Sequence, residues 1–303
     1  MKTFEKVAYR GWENCYKLSN GKIELIITGD VGPRVIRFGF VGGDNEFAEF
    51  EDMVGKIGGD EWRIYGGHRF WHAPEDPVRT YYPDNDPVEV TDMGEFVRVV
   101  QQTEPTTGIQ KELDFYLSAE EAKVKVVHRL RNHNMWPVEL APWGVSVMAT
   151  GGVAIVPLPP RGSHAENLLP CNTLTFWAYV DMSDPRWTWG HKYIMLRQDV
   201  NMPAAQKFGA TGLHGKAAYA RNGHLFVKTF TYFPEATYSD MGCAVEIFTN
   251  EQFLEVESVA PLVNLEPGGT VGHVEYWYLF EDVPMPTNEA DVDASIAPKL
   301  DSV

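Results

Sequence analysis

Apolar and polar residues alternate along most of the chain, and this period of two is typical of half-buried β-strands. The clearest run covers 122–130, where Ala122, Val124 and Val126 alternate with Lys123 and Lys125. The same alternation predicts strands over 23–28, 34–40, 96–101, 110–117 and 138–149, and over 217–219, 225–231, 243–249, 253–258 and 271–280. The Asn-Gly pairs at 20–21 and 222–223 predict tight hairpin turns.

Helical periodicity is confined to 119–121 and 288–296. No stretch rich in Pro, Gly and Ser is long enough to divide the chain, so we expect one domain over residues 1–303. Its tail, from about residue 284, is expected to wrap the surface or fray. Because so many antiparallel strands cannot form one flat sheet, the predicted fold class is all-β, a large antiparallel sandwich.

The composition supports a large core and limits the partners. Of 303 residues, 44% are hydrophobic and 22% charged, which is typical of globular proteins. Nine Trp, thirteen Tyr and sixteen Phe suit twisted sheets and also sugar binding. A net charge of −16 without a basic run disfavours nucleic acid and anionic membranes as partners.

The cysteines and the first residues indicate a compartment. Cys15, Cys171 and Cys243 are widely spaced and form no CxxC pair, which predicts buried free thiols in a reducing environment. The N-terminal residues contain no apolar signal segment, and no stretch approaches the length of a membrane span. We therefore expect a cytoplasmic protein.

The densest polar cluster lies at 66–75, GGHRFWHAPE. If it is extended, His68 and His72 share one face and Arg69 and Trp71 the other. Two imidazoles about 7 Å apart on one face could act as acid and base. A strand end with two satisfied, buried histidines is the structural alternative.

The same histidines offer the main metal hypothesis. His68 and His72 could ligate a divalent metal, with Glu75 joining them after Pro74 turns the chain. No third ligand is marked by spacing, so no cofactor is predicted, and a divalent metal at His68 and His72 stays open.

A second cluster lies at 253–258, where alternation places Glu255 and Glu257 on one face. Two such carboxylates repel each other unless a cation, a sugar hydroxyl or a proton lies between them. That coupling can raise one pKa and produce an acid or base that works near neutral pH. A solvated outer face is the alternative. Two isolated candidates are Lys192, among aromatic residues, and Asp240.

Several motifs together resemble a known superfamily, the galactose-mutarotase-like supersandwich proteins, in a branch without a characterised function. The motifs are the Asn20-Gly21 hairpin, Gly32-Pro33-Arg34-Val35-Ile36, Gly66-Gly67-His68-Arg69, Asn132 before Pro137, Leu254-Glu255-Val256-Glu257 and Leu265-Glu266-Pro267-Gly268. The resemblance spans nearly the whole chain and implies an antiparallel β-supersandwich.

The resemblance also implies a reaction. In the aldose 1-epimerases of this superfamily, a late Glu removes the anomeric hydroxyl proton and a His on the central strand protonates the ring oxygen. Leu254-Glu255-Val256-Glu257 resembles their Leu-Glu-Thr-Gln motif, which implies that Glu255 is the base. Trp143 stands where the central His is expected, and an indole does not titrate usefully. His68 or His72 would then have to be the acid.

The leading hypothesis is therefore an aldose 1-epimerase-like enzyme whose partner is a small carbohydrate. Its ligand would be oriented and stacked by polar and aromatic side chains, namely Arg69, Glu75, Lys192, Asp240, Glu257, Trp71 and Trp143. One alternative is a carbohydrate-binding protein without catalysis. Another is a metal-dependent sugar lyase or hydrolase that uses His68 and His72 with Glu75 or Glu257.

Overall fold

The computed structural model describes residues 2–303, and within them two large antiparallel sheets form a sandwich. In chain order the strands are β1 (Thr3–Tyr9), β2 (Trp12–Ser19), β3 (Ile23–Thr28), β4 (Arg34–Phe40), β5 (Gly67–Ala73), β6 (Glu89–Asp92), β7 (Val97–Val100), β8 (Ile109–Leu117), β9 (Lys123–Asn132), β10 (Val138–Met148) and β11 (Val153–Pro157). They continue as β12 (Leu174–Phe176), β13 (Trp187–Trp189), β14 (Tyr193–Arg197), β15 (Gln206–Ala210), β16 (Lys216–Arg221), β17 (His224–Phe230), β18 (Val245–Thr249), β19 (Leu254–Val259), β20 (Val263–Leu265) and β21 (Thr270–Phe280).

Neighbouring strands in each sheet come from distant parts of the sequence. The first sheet has the order β1-β2-β3-β4-β5-β10-β19-β18-β15-β12, with β20 paired to β10. The second has the order β13-β14-β11-β16-β17-β21-β9-β8-β7-β6. The centre of the first sheet therefore brings β5 beside β10 and β19, which joins the two polar clusters of the sequence.

The core lies between the sheets and takes alternate side chains from strands such as β9. Val35 and Phe38 of the first sheet pack with Val126 and Trp277 of the second, and all four are fully buried. The rings of Phe38 and Trp277 are 5.7 Å apart. The predicted all-β sandwich is confirmed.

Strands with regular alternation match their predicted bounds, whereas β1, β2 and several short strands were not predicted. The predictions for 23–28 and 34–40 coincide with β3 and β4. The turn between β16 and β17 has the positive φ values, 49° at Asn222 and 82° at Gly223, that its sequence predicts. Residues 119–121 form a turn rather than a helix. Strand β15, Gln206–Ala210, was missed because it has only five residues and two apolar positions, Phe208 and Ala210.

The tail packs against the second sheet through three short helical segments, α1 (Glu289–Asp291), a π-helical turn (Val292–Ile296) and α2 (Ala297–Asp301). Val292, Ile296 and Leu300 are buried together with Val227 of β17. Within residues 2–303, none of the helices has the length and apolar character needed to cross a membrane.

The three cysteines are free thiols, as expected. Cys15 and Cys243 are buried, but Cys171 is exposed, so the prediction of three buried thiols was wrong for this residue. Cys171 lies in the irregular segment before β12, where no sheet covers it.

Candidate functional site

A cavity of about 570 Å³, which we call the aromatic cavity, opens on the outer face of the first sheet. It is lined by eight aromatic rings, two aliphatic side chains and five charged groups: Trp62, Ile64, Arg69, Trp71, Glu75, Tyr81, Trp143, Trp177, Tyr179, Ala205, Lys207, Phe248, Phe253, Glu255 and Glu257. Six of these residues, Arg69, Trp71, Glu75, Trp143, Glu255 and Glu257, were site candidates from the sequence alone.

Strand alternation decides which side chains reach the aromatic cavity. On β19, Glu255 and Glu257 line it, while Leu254 and Val256 belong to the core between the sheets. On β5, Arg69 lines it and Phe70 points into the core. The polar clusters at 66–75 and 253–258 therefore meet on one face.

The loop that carries Trp62 and Ile64 over the cavity is held by a buried arginine and two glycines. Arg34 Nη1 donates to the carbonyl oxygens of Ile64 and Gly66, at 3.0 and 2.6 Å. Gly66 and Gly67 have φ values of 104° and 72°, and a Cβ would lie 1.9 Å from Ala48 O and 2.2 Å from Val35 O. Only glycine lets this loop turn tightly into β5.

Arg69 and Glu255 form the first charged pair of the cavity. Arg69 Nη2 donates to Glu255 Oε1 at 2.8 Å, and its guanidinium lies 4.1 Å from the ring centre of Trp71. Arg69 Nε and Nη1, both buried, have no hydrogen-bond partner among residues 2–303. A ligand with acceptor oxygens would supply those partners.

A second charged group, which we call the cavity trio, consists of Glu246, Lys207 and Glu257. Lys207 Nζ lies 2.7 Å from Glu246 Oε2 and 3.3 Å from Glu257 Oε2. Trp143 Nε1 donates to the same Glu257 oxygen at 2.9 Å. Trp143, which replaces the expected central His, therefore holds a carboxylate instead of titrating.

Burial and mutual repulsion shift the pKa values in the cavity trio. Burial, opposed by Lys207, raises the pKa of Glu246 to about 8, and burial also raises the pKa of Glu257 above its usual value. Burial by itself would lower the pKa of Lys207, but Glu246 and Glu257 outweigh it and hold that pKa well above its usual value. Lys207 is therefore an ammonium at neutral pH.

His68 and His72 lie on the opposite face of β5, and this corrects their assignment as acids. His68 Nδ1 is 2.9 Å from Ser146 Oγ and its Nε2 is 2.8 Å from His128 Nε2, inside the sandwich. His72 is buried, and burial lowers its pKa to about 3. Because successive side chains of a strand point to opposite faces, neither imidazole can reach a ligand beside Glu255.

The same geometry removes the metal hypothesis that combined His68 and His72 with Glu75 or Glu257. The two carboxylates line the aromatic cavity, whereas the two imidazoles point between the sheets. A different set, His68, His128 and Glu275, does place its ligand atoms within 4.8 Å of one another. We call this set, with its neighbours Lys228 and His273, the inter-sheet cluster.

The hydrogen bonds of the inter-sheet cluster determine where its protons lie. His128 Nδ1 donates to the carbonyl oxygen of His273 at 3.2 Å, so its Nε2 accepts the Nε2 proton of His68. Burial lowers the pKa of His128 to about 4 and that of His273 to about 3. The imidazoles are therefore neutral at neutral pH.

Lys228 and Glu275 complete the inter-sheet cluster as a buried ion pair. Lys228 Nζ lies 3.0 Å from Glu275 Oε1 and also donates to two backbone carbonyls, Gly144 O and Val256 O. Burial would raise the pKa of Glu275, but Lys228 outweighs it and holds that pKa well below its usual value. A metal ion would have to displace this ammonium and break the histidine bond, so the residues present do not fit a metal centre.

Two sequence candidates lie away from the aromatic cavity. Lys192 is exposed, pairs with Asp293 at 2.7 Å, and lines a different cavity of about 500 Å³ beside the tail. Asp240 lies in the turn before β18, where its backbone oxygen accepts a bond from Thr175. Both were proposed as ligand contacts, and the structure places neither beside Glu255.

Sequence reasoning missed Lys207 and Glu246, and it did not single out Trp62, Trp177 and Tyr179. Lys207 lies on β15, a strand of only five residues, 50 positions before its partner Glu257. The apolar run at 176–180, which is too hydrophobic for a free linker, was a signal for Trp177 and Tyr179. Glu246 alternates with core residues Val245 and Ile247, a pattern that does not distinguish a buried from an exposed glutamate.

Solved structures of the galactose-mutarotase-like class share this fold. A galactose mutarotase-like protein from Lactobacillus casei superposes with a TM-score of 0.59 at 11% identity, covering 88% of this chain and 100% of that chain. One from Clostridium acetobutylicum gives a TM-score of 0.55 at 12% identity, covering 93% and 98%.

A third structure contains the fold as part of a longer chain. It is a TPR-domain containing protein from Parabacteroides distasonis, with a TM-score of 0.61 at 13% identity. The superposition covers 90% of this chain and 48% of that chain. No protein-family model and no curated protein matches the sequence. The likeness establishes the fold: this chain has the galactose-mutarotase-like fold.

Proposed function

We propose that the protein is a carbohydrate-active isomerase that interconverts the anomers of a free aldose in the aromatic cavity. One observation carries the proposal: Glu255 and Glu257 lie on the same face of β19 in a cavity walled by tryptophan and tyrosine rings. Aromatic faces stack on the apolar faces of sugar rings, while carboxylates bind hydroxyls and exchange protons. The fold shared with galactose mutarotase-like proteins supports the same chemistry.

Glu255 is the proposed base and Glu257 the proposed acid. Glu255 takes the proton of the anomeric hydroxyl, the carbonyl bond forms at C1, and the bond from C1 to the ring oxygen breaks with its electron pair on that oxygen. Glu257 gives the ring oxygen a proton. After rotation about the bond from C1 to C2, both transfers reverse, so the opposite anomer forms with no net proton gained or lost.

Glu257 is the proposed acid because, among the cavity groups whose pKa is shifted, the others are poorer donors. Burial raises the pKa of Tyr81 and of Tyr179 above the usual value for tyrosine. The pKa of Lys207 is also raised. A group whose pKa is raised towards neutrality, as that of Glu257 is, suits general acid catalysis at neutral pH.

The test is anomer interconversion, measured by NMR exchange across a panel of aldoses such as glucose and galactose. Glu255→Gln and Glu257→Gln are each expected to lower the rate about 100-fold or more. Glu24→Gln is the matched control, because Glu24 is a strand glutamate of the same sheet, 8% exposed like Glu255 and paired to Arg37 at 2.9 Å. We expect it to keep the wild-type rate.

The competing function, carbohydrate binding without catalysis, predicts a different result. It is favoured by one observation: none of the cavity-lining side chains described within residues 2–303 is a histidine. Sugar binding detected by calorimetry, together with no acceleration of interconversion for any sugar of the panel, would overturn the isomerase proposal.

A further inference from the structure

Two glutamates lie directly opposite each other on neighbouring strands, next to the aromatic cavity. Glu246 of β18 and Glu257 of β19 are cross-strand partners, and both side chains are completely buried. Like charges in such positions repel each other, and burial removes the water that would screen them. A third group must compensate the pair.

One lysine faces both glutamates. Lys207, from β15 on the other side of β18, lies 2.7 Å from Glu246 and 3.3 Å from Glu257. Its ammonium is also 4.5 Å from the ring centre of Trp177, so the lysine is fixed over an aromatic face. The nearby Arg69 is already paired with Glu255 at 2.8 Å, and Asp240 adds a further negative charge near Glu246. The one ammonium of Lys207 therefore balances one carboxylate of the trio and leaves the other unbalanced.

We propose that Glu246, Lys207 and Glu257 hold one excess proton at neutral pH, which the two glutamates share and which reaches the aromatic cavity through Glu257, the glutamate of the pair that lines it. An uncompensated buried carboxylate is costly, and binding a proton removes the excess charge. The two glutamates then titrate as a coupled pair that shares this proton.

The hydrogen bonds of Glu257 indicate which oxygen carries the proton. Oε2 accepts from Trp143 Nε1 and faces Lys207, so both of its neighbours are donors. Oε1 has no hydrogen-bond partner within the described residues 2–303, and the same is true of Glu246 Oε1, so each glutamate has an oxygen free to carry the shared proton. A proton on Glu257 Oε1 leaves Oε2 as the acceptor, which satisfies all these contacts.

Glu246 is a positioning residue in this arrangement. Its side chain is fully buried and lies behind Lys207, which itself lines the cavity. It acts through Lys207: by holding the ammonium at 2.7 Å, it makes Lys207 a weaker counter-ion for Glu257, at 3.3 Å. The pair of carboxylates therefore retains a proton that a single carboxylate beside a lysine would lose.

The test counts protonated glutamates without any substrate. Infrared difference spectra of protein labelled with ¹³C at the glutamate carboxyl separate the carbonyl band of a protonated acid from carboxylate bands. At pH 7, Glu246→Gln and Glu257→Gln should each abolish one protonated-glutamate signal of the wild type. Lys207→Met should add a second, because two carboxylates would then lack a cation.

Glu24→Gln is the matched control and should leave the signal unchanged, because Arg37 already balances that carboxylate. If a variant fails to fold, the wild-type protein still provides a test, since raising the pH through about 8 should remove the signal. A signal that persists in both Glu246→Gln and Glu257→Gln, or its absence from the wild type at pH 7, overturns the proposal.

This inference rests on the proposed function only where it gives the shared proton a catalytic role. The infrared signal itself requires no turnover. Anomer interconversion by a protein that lacks the signal contradicts the shared proton and leaves the isomerase standing. The expected signal in a protein that interconverts no sugar supports the shared proton and contradicts the isomerase. The two failures are therefore distinguishable.

Discussion

Two buried groups of lysine and glutamate lie on opposite faces of the first sheet, and their hydrogen bonds are completed differently. Between the sheets, Lys228 faces one glutamate, Glu275, in a ratio of one to one. Next to the aromatic cavity, Lys207 faces two, Glu246 and Glu257. The first group is balanced by its own residues, whereas the second leaves a charge that needs a proton or a ligand.

The two groups also differ in how many of their buried polar atoms lack hydrogen-bond partners. In the inter-sheet cluster, Glu275 accepts from Ser258 Oγ at 2.5 Å and from Trp277 Nε1 at 2.6 Å, besides its ion pair. In the part of the chain that the structure describes, buried polar atoms without partners occur around the aromatic cavity, at Arg69, Trp62, Glu246 and Glu257, and also away from it, at Arg34, His72, Asp84, Gln101, Glu104 and Ser239. A closed network stabilises a fold, and unpartnered atoms that border a cavity can be completed by a ligand.

The largest expected difference between the two groups is in stability. Lys228→Met leaves Glu275 as a buried charge without its cation, and we expect it to lower the free energy of unfolding by about 3–5 kcal/mol. Lys207→Met should cost clearly less, because both carboxylates can bind protons and the adjoining cavity can admit water. Denaturant unfolding at pH 7 measures both.

Lys192→Met is the control for that comparison. Lys192 is exposed and pairs only at the surface with Asp293, so its loss should change the free energy of unfolding by less than about 0.5 kcal/mol. Equal losses of unfolding free energy in Lys228→Met and Lys207→Met would contradict the distinction between the balanced inter-sheet cluster and the unbalanced cavity trio.

The next expected difference is in how the free energy of unfolding changes at acidic pH. The folded pKa values of His128 and His273, about 4 and about 3, lie below the unfolded value of about 6.5. Stability from neutral burial is therefore complete above about pH 6.5 and is lost as the pH falls towards the folded values, by about 1.4 kcal/mol per pH unit for each histidine. His273→Gln should flatten this slope, as measured by unfolding between pH 7 and pH 4.

The cavity trio should produce the opposite slope. The pKa of Glu246, about 8 in the fold, exceeds its unfolded value of about 4.5, so the folded state binds more protons and loses stability as the pH rises from about 4.5 through about 8. Glu246→Gln should remove this loss, so that stability rises more steeply with pH over that range, whereas His273→Gln should make the rise shallower below about pH 6.5. If the two substitutions changed the slope in the same direction, the assignment of protons to the two groups would be wrong.

The sequence predicted the strands better than it predicted the site. The success and the failure have the same cause. Alternation is local, so β3, β4 and the face shared by Glu255 and Glu257 could be predicted from neighbouring residues. The site role of Lys207 could not, because its partner Glu257 lies 50 positions away and its strand has only five residues.

His68 illustrates the limit of reading one strand in isolation. The period of two correctly separated His68 from Arg69, but it could not indicate which face was the site. That depends on β9, which places His128 against His68, and on Gly144, where a Cβ would lie 2.3 Å from Glu275 Oε1. Both contacts come from strand order, which alternation does not specify.

The smallest expected effect concerns the aromatic rings that line the aromatic cavity. It tests whether a sugar binds in this cavity, next to the cavity trio. Trp177 lies 4.5 Å from Lys207 Nζ and lines the cavity. Trp177→Phe keeps a ring but reduces the stacking surface, so we expect sugar binding to weaken by about 1 kcal/mol, roughly fivefold. Calorimetric titration with the best sugar of the panel measures it. Trp136→Phe, at an exposed tryptophan of the turn before β10, is the control and should bind as the wild type does. Equal affinities for all three proteins would mean that the sugar does not bind against this wall, although the proton held by the cavity trio would be unaffected.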